Sequence, residues 1–120
     1  MKQIAQLIDS ALVSLGLDVT RAHNSNPSTD PYIIYNCITK SPNLFGNNTE
    51  KSRTFYIDVD VYTKDAVVID DVAEEVENLM KEAGFKVLTS GDLIVEKDTE
   101  PTTYHMPLEF LYEKRLNNGW

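Results

Sequence analysis

The chain has 120 residues, which suits one domain spanning 1–120, and 42% of them are hydrophobic, enough for a modest core. The 19 Asp and Glu residues against 11 Lys and Arg give a formal net charge of −8. That balance argues against sequence-independent binding to nucleic acid, which needs clustered cations. The single cysteine, Cys37, is typical of a reducing cytosol, and no stretch approaches the ~20 apolar residues of a membrane helix.

The first third of the chain predicts a helix, a loop and a strand. The helix is amphipathic and ends near Gly16, because its apolar residues recur at steps of three and four. The segment 21–30 is polar and contains Pro27, which predicts a loop. The segment YIIYNCITK, over 32–40, is rich in β-branched and aromatic residues and indicates a strand.

The segment SPNLFGNNTEKS, over 41–52, is predicted to be a flexible loop, because Pro42, Gly46 and an Asn pair interrupt regular structure. It holds two large apolar residues, Leu44 and Phe45, in polar surroundings. Exposed apolar side chains of this kind mark contact surfaces, so both residues are candidates for an assembly interface. The alternative is that they fold back onto the chain's own sheet.

The segment FYIDVDVYTKD, over 55–65, alternates apolar and polar residues with period two, which predicts a strand with one face toward a core. Asp58 and Asp60 therefore share the face away from the core. The acids do not match a calcium loop, which needs a glycine at its sixth position and a glutamate at its twelfth. A solvated or interface face is the better interpretation, and it makes both aspartates candidates for an assembly interface.

A second helix is predicted to follow and to end at Gly84. Its apolar stripe consists of Ile69, Val72, Ala73, Val76, Leu79, Met80 and Ala83. FKVLT and LIVEK, separated by a turn at 90–92, then predict a hairpin, and YHMPLEFLYEK predicts a last strand. The tail 115–120 is predicted to be loose. The order is α-β-β-α-β-β-β, and the fold class is α+β: an antiparallel or mixed sheet packed with two helices.

The acids near His105 raise the question of catalysis. They are Glu96, Asp98, Glu100 and Glu109. Histidine and carboxylates can bind metal or transfer protons, but a surface histidine beside acids is the simpler interpretation. No nucleophile motif, phosphate-binding loop or Cys-His framework is present in the sequence. We therefore expect no enzyme, no cofactor and no metal, and keep a small metal-dependent enzyme using Asp58, Asp60 and His105 as an alternative.

Six tyrosines could suggest stacking on single-stranded nucleic acid: Tyr32, Tyr35, Tyr56, Tyr62, Tyr104 and Tyr112. That function needs cations between the rings, whereas the predicted strands carry acids. Tyrosines on a sheet face covered by a protein neighbour are the better interpretation.

Four segments in this order resemble the small tail-completion proteins of long-tailed phages and prophages, also called tail-terminator or head-to-tail joining proteins. They are DPYIIYN, FYIDVDVYTKD, ENLMKEAGF and VEKDTEPTTYHMPLEFLYEK. The resemblance covers about Asp30 to Lys114.

The resemblance implies a structural virion protein without catalytic residues. Its copies would form a ring, typically a hexamer, that terminates the tail tube and joins it to the head connector. The implied partners are other copies of the chain, the tail tube protein and the head connector, with DNA passing through the lumen without specific binding. The implied location is the head-tail junction of the virion, and the host cytoplasm during assembly. The segment 41–52 matches the position of an assembly arm in such proteins. A head-completion adaptor at the same junction is the alternative.

Overall fold

The computed structural model of the chain describes residues 2–45, 49–96 and 99–115. Each of two helices is followed by three strands along these ranges, and a short 3₁₀ turn, Val13–Leu15, follows the first helix. The elements are α1 (Lys2–Leu12), β1 (Asp18–Arg21), β2 (Tyr32–Phe45), β3 (Thr49–Thr63), α2 (Ile69–Glu82), β4 (Lys86–Ser90), β5 (Ile94–Glu96) and β6 (Thr103–Arg115).

The strands form one mixed sheet in the order β1-β2-β3-β6-β4, and β5 pairs with β6. The β1–β2 pair is parallel, and every other pair is antiparallel. The predicted α+β class is therefore confirmed. Among the described residues, no helix is long and apolar enough to cross a membrane.

Both helices pack on the same face of the sheet and form the core with it. In β3 the alternate residues Phe55, Ile57, Val59 and Val61 are buried, as the period-two pattern predicts. The helices bury the predicted stripes against them, through Ile4, Ile8 and Leu12 of α1 and Ile69, Ala73, Val76 and Met80 of α2. The predicted helix ends are also confirmed, since Gly16 and Gly84 have φ angles of 69° and 101° in the left-handed region.

The structure adds a strand that the sequence analysis missed. The strand β1 has four residues and pairs with the first residues of β2, from Asp18↔Tyr32 to Arg21↔Tyr35. A run this short, with polar residues at both ends, is hard to distinguish from a loop by pattern alone.

The polar loop between β1 and β2 is organised by Asp18. Its carboxylate accepts hydrogen bonds from the Ser28 backbone N–H, the Asn24 amide and the Thr20 hydroxyl, at 2.8–2.9 Å. These three bonds, in that order of importance, lower the pKa of Asp18 to about 2. No helix or strand lies between Arg21, which ends β1, and Tyr32, so the predicted loop over 21–30 is confirmed except at Arg21.

The prediction of a loop over 41–52 is wrong in the part that the structure describes. Residues 41–45 continue β2 and 49–52 continue β3, and the two strands pair as far as Phe45↔Thr49. Pro42 is compatible with this ladder because β1 pairs with β2 only up to Tyr35, so the rest of β2 is an edge strand. Residues 46–48 lie outside the described residues.

The predicted hairpin between β4 and β5 is also wrong. Both strands pair with β6, which has 13 residues and is long enough to take them one after the other. The break between them lies at Gly91, whose N–H donates to the Pro107 carbonyl at 2.7 Å. A Cβ on Gly91 would lie 2.5 Å from Cγ of Pro107, so the close approach requires glycine.

The strand β6 lies inside the sheet, between β3 and β4, although proline within a strand is typical of an edge or a bulge. The N and the carbonyl of a strand residue point the same way, so the missing N–H of Pro107 faces the break between β4 and β5. Of the tail predicted to be loose, Arg115 ends β6, and 116–120 lie outside the described residues.

Candidate functional site

The sheet face opposite the helices is the best candidate for a functional surface, and we call it the open face. No described helix covers it, and its side chains are half-buried. It consists of Tyr32, Ile34 and Asn36 of β2, Tyr56, Asp58, Asp60 and Tyr62 of β3, and His105, Pro107, Glu109 and Leu111 of β6. The prediction that Asp58 and Asp60 share the face away from the core is therefore confirmed.

Three stacked rings cross the open face from β2 to β6. Tyr32 is the cross-strand partner of Tyr62, and Tyr62 is the partner of His105. The ring centroids of the two tyrosines are 5.2 Å apart, and those of Tyr62 and His105 are 4.3 Å apart. The rings are nearly parallel, at 9° and 11°. Directly opposed side chains on one sheet face lie this close, so the register creates the stack.

The histidine at the end of the stack lies between two carboxylates. Nε2 of His105 is 2.8 Å from Oδ1 of Asp60, and Nδ1 is 2.9 Å from Oε1 of Glu96. Burial alone would lower the pKa of His105, but the hydrogen bonds and charges of Asp60 and Glu96 outweigh it and raise the pKa above 6.5. The imidazolium form can donate to both partners at once, which the neutral ring cannot.

A second group of acids crowds the middle of the open face. Asp58 is the cross-strand partner of Glu109 and shares its face with Asp60. Burial, followed by the charges of Asp60 and Glu109, raises the pKa of Asp58. Like charges directly opposed on a sheet are destabilising, so this carboxylate is held at a cost to the free energy of folding.

The tyrosines divide between the two faces rather than forming one stacking surface. Tyr35 is buried on the covered side, and its hydroxyl donates to Asp9. Burial, followed by the hydrogen bond to Asp9, raises the pKa of Tyr35 to about 12. Tyr104 and Tyr112 pack against the core. Tyr62 also has a pKa raised to about 12, by burial and then by Asp60, Glu96 and Tyr32, so its hydroxyl is neutral at physiological pH.

The geometry does not favour the metal-dependent alternative. Asp60 and His105 do come together, but both ring nitrogens of His105 already contact carboxylates. Within the described ranges, no group of three or more His, Cys, Asp or Glu residues could hold a metal ion. Of the other acids near His105 in sequence, Glu100 is exposed and Asp98 lies outside the described residues.

A cleft of about 500 Å³ lies between α2 and the turn after β4. Its polar lining is mostly acidic, from Asp70, Glu74, Glu77 and Asp92. The Ser90 hydroxyl in this cleft donates to Glu77. A hydroxyl engaged by a carboxylate, with no histidine in the lining, is not the arrangement of an activated nucleophile.

The period-two pattern of β3 predicts the shared face of Asp58 and Asp60, but no pattern in the sequence predicts the contacts of His105. Asp60 and His105 are 45 residues apart, and only the β3–β6 register brings them together. The candidate residues Leu44 and Phe45 end β2, and their side chains lie outside the described residues.

Comparison with known proteins gives no family and no function for the open face. No protein-family model matches the chain, and no curated protein matches it.

Proposed function

We propose that the chain is a structural protein of phage virion assembly, of the tail-terminator class. Its copies form a ring at the head-proximal end of the tail, stop growth of the tail tube and join it to the head connector. The class comes from the resemblance over 30–114. The observation that carries the proposal is the open face, a sheet surface with stacked rings and half-buried acids that no described helix covers.

The chemistry of the open face favours a protein neighbour. Three rings are aligned on this face. Aromatic residues are enriched in the buried centres of protein interfaces relative to the rest of the surface. The opposed acids Asp58 and Glu109 would gain from a cation supplied by the neighbouring copy. The open face is therefore the surface on which we place the contact between subunits.

The shape of the chain also suits a ring subunit. Its principal extents are 55 × 25 × 24 Å, and the 15 residues of β3 run along much of the length. A subunit elongated by a long hairpin can reach past its nearest contact to a neighbour. The net charge of −8 suits a ring through which DNA passes, because like charges prevent the DNA from sticking.

Capping of tail tubes tests the function directly. The purified chain is mixed with polymerised tail tubes of the phage or prophage that encodes it, and the tubes are examined by negative-stain electron microscopy. We expect a ring at one end of each tube, and capped tubes that take up no further tube subunits. Binding along the whole tube, or no binding at tube ends, contradicts the proposal. Binding to the head connector but not to the tube identifies the adaptor instead.

A charge-reversal pair separates the open face from the rest of the surface. Asp58→Lys places a cation in the middle of the open face, and Glu75→Lys makes the same change of charge at an exposed position of α2, on the other side of the sheet. We expect Asp58→Lys to fold and to cap tubes at least tenfold less well, and Glu75→Lys to cap normally. Equal capping by both variants contradicts the placement of the contact on the open face.

A further inference from the structure

The strand β5 is attached to the sheet by few contacts. It has three residues and pairs with β6 at Ile94↔His105, Val95↔Tyr104 and Glu96↔Thr103. Its apolar side chains add little, since Ile94 is 43% exposed and Val95 is 53% exposed. Strands with so little buried apolar surface open at low free-energy cost.

One side-chain link compensates for this weak attachment. Glu96 of β5 contacts Nδ1 of His105 at 2.9 Å, and Nε2 of the same ring contacts Asp60 of β3 at 2.8 Å. His105 therefore ties β5 across β6 to the third strand of the sheet. A neutral imidazole has one N–H and can donate to only one of the two carboxylates, so the full link requires the imidazolium form.

We propose that His105 is a proton-dependent clamp, which fastens β5 to the sheet while the ring is protonated and releases it when the proton is lost. Release uncovers the edge of β6 at Thr103–His105, where backbone groups would be free to pair with another strand. The clamp is a property of this chain and adds regulation to the proposed assembly function without depending on it.

The titratable groups around His105 come from β2, β3 and β5. Asp60 and Tyr62 face it from β3, and Glu96 faces it from β5. Asp58 lies two residues beyond Asp60, and Tyr32 of β2 stacks behind Tyr62. Both tyrosines have raised pKa values and keep their protons, because burial and the nearby acids disfavour the phenolate.

The sign of the pH dependence follows from the raised pKa of His105. A group whose pKa is higher in the folded state than in the unfolded chain stabilises the fold fully below the unfolded value, ~6.5 for histidine. That contribution is lost as the pH rises through the folded value. The clamp is therefore closed in mildly acidic solution and opens as the pH rises above the pKa of His105.

Nuclear magnetic resonance of the wild-type chain tests the clamp without any substitution. The ring nitrogens of His105 are titrated between pH 5.5 and 8.5, and amide exchange is measured in β5 and β4 across the same range. After correction for intrinsic exchange, we expect protection of β5 relative to β4 to fall up to about tenfold per pH unit above the pKa, as linkage of one proton requires. A constant ratio, or a neutral His105 ring at pH 6, overturns the proposal.

Three variants locate the effect. His105→Gln should leave β5 poorly protected at every pH, and Glu96→Ala should do the same while keeping the contact between Asp60 and His105. The matched control is His23→Gln, which changes the other histidine of the chain, at an exposed loop position. The control should keep the wild-type profile. A pH response that survives Glu96→Ala, or that disappears in His23→Gln, overturns the assignment to His105.

Discussion

The covered face and the open face of the sheet are built from the same strands but use their residues differently. In β3, Ile57 and Val59 point into the core and are fully buried, whereas Asp58 and Asp60, their immediate neighbours, lie half-buried among charges and rings. The covered face gains its free energy from removing apolar surface from water. On the open face, the charged form of Asp58 costs free energy in the fold, and the contacts of His105 depend on protonation of its ring.

The two faces therefore differ in how much substitution they tolerate. Groups on the covered face are constrained by close packing, so most changes there lower the free energy of unfolding. Groups on the open face can change with little loss of stability, because their interactions are partly exposed and partly unfavourable. The stability of matched variants therefore distinguishes the two faces.

The largest effect is expected for Val76→Asp on the covered side. Val76 is 0% exposed in the middle of α2, and an unpaired carboxylate there costs several kcal/mol, comparable with the ~5–15 kcal/mol of stability of a typical domain. We expect circular dichroism to show an unfolded or barely folded chain. The control Asn78→Asp adds the same carboxylate at an exposed position of the same helix and should stay folded. A well-folded Val76→Asp protein would contradict the placement of Val76 in the core.

A smaller loss is expected for Asp60→Asn on the open face. The change removes the charged partner of His105, and hydrogen bonds to charged groups contribute ~1.5–3 kcal/mol, less here because the pair is partly exposed. The loss should be largest below pH 6.5 and should shrink above the raised pKa of His105. Urea midpoints at pH 6 and pH 8.5, with the exposed control Asp92→Asn, check this. An equal loss at both pH values would contradict the role of the imidazolium.

A gain of stability is expected for Asp58→Asn. Burial and the nearby acids raise the pKa of Asp58, so its charged form is less favourable in the folded state and removing the charge should raise the urea midpoint at pH 7. The gain should disappear as the pH falls through the pKa of Asp58, because the wild-type carboxyl then becomes neutral too. Glu113→Gln removes a charge from an exposed position and should change the urea midpoint little. A destabilised Asp58→Asn protein would show that the carboxylate has a favourable partner.

No effect is expected from divalent metal. A ligand at 100 times its Kd that binds only the folded state would stabilise the chain by ~2.7 kcal/mol. Thermal melts with millimolar Ca²⁺, Mg²⁺ or Zn²⁺ should coincide with the melt in chelator. A shift of several degrees in any of them would restore the metal-dependent alternative.

Much of the covered face could be predicted from the sequence, because it depends on periodicity alone. The stripe of α2 and the alternation of β3 need no knowledge of neighbours. The two wrong predictions, the loop over 41–52 and the hairpin of β4 and β5, depend on how distant segments pair. The extension of β2 past Pro42 is possible because that stretch is an edge strand, and β4 and β5 both pair with β6 because it is long.

The open face could be predicted only in part for the same reason. Period two places Asp58 and Asp60 on one face, but the ring stack and the contacts of His105 depend on register. Asp60 lies 45 residues from His105, and Glu96 lies nine residues from it on another strand. No spacing rule joins three residues that meet across separate strands.

Footprinting of the assembled ring shows whether the open face is the contact between subunits, as we propose. Side-chain oxidation by hydroxyl radicals is measured by mass spectrometry in the free chain and in tubes capped by it. We predict that Tyr56, Tyr62 and Leu111 become protected on assembly, while Val67, which is 84% exposed before α2, stays reactive. An open face oxidised equally in both states would contradict the account.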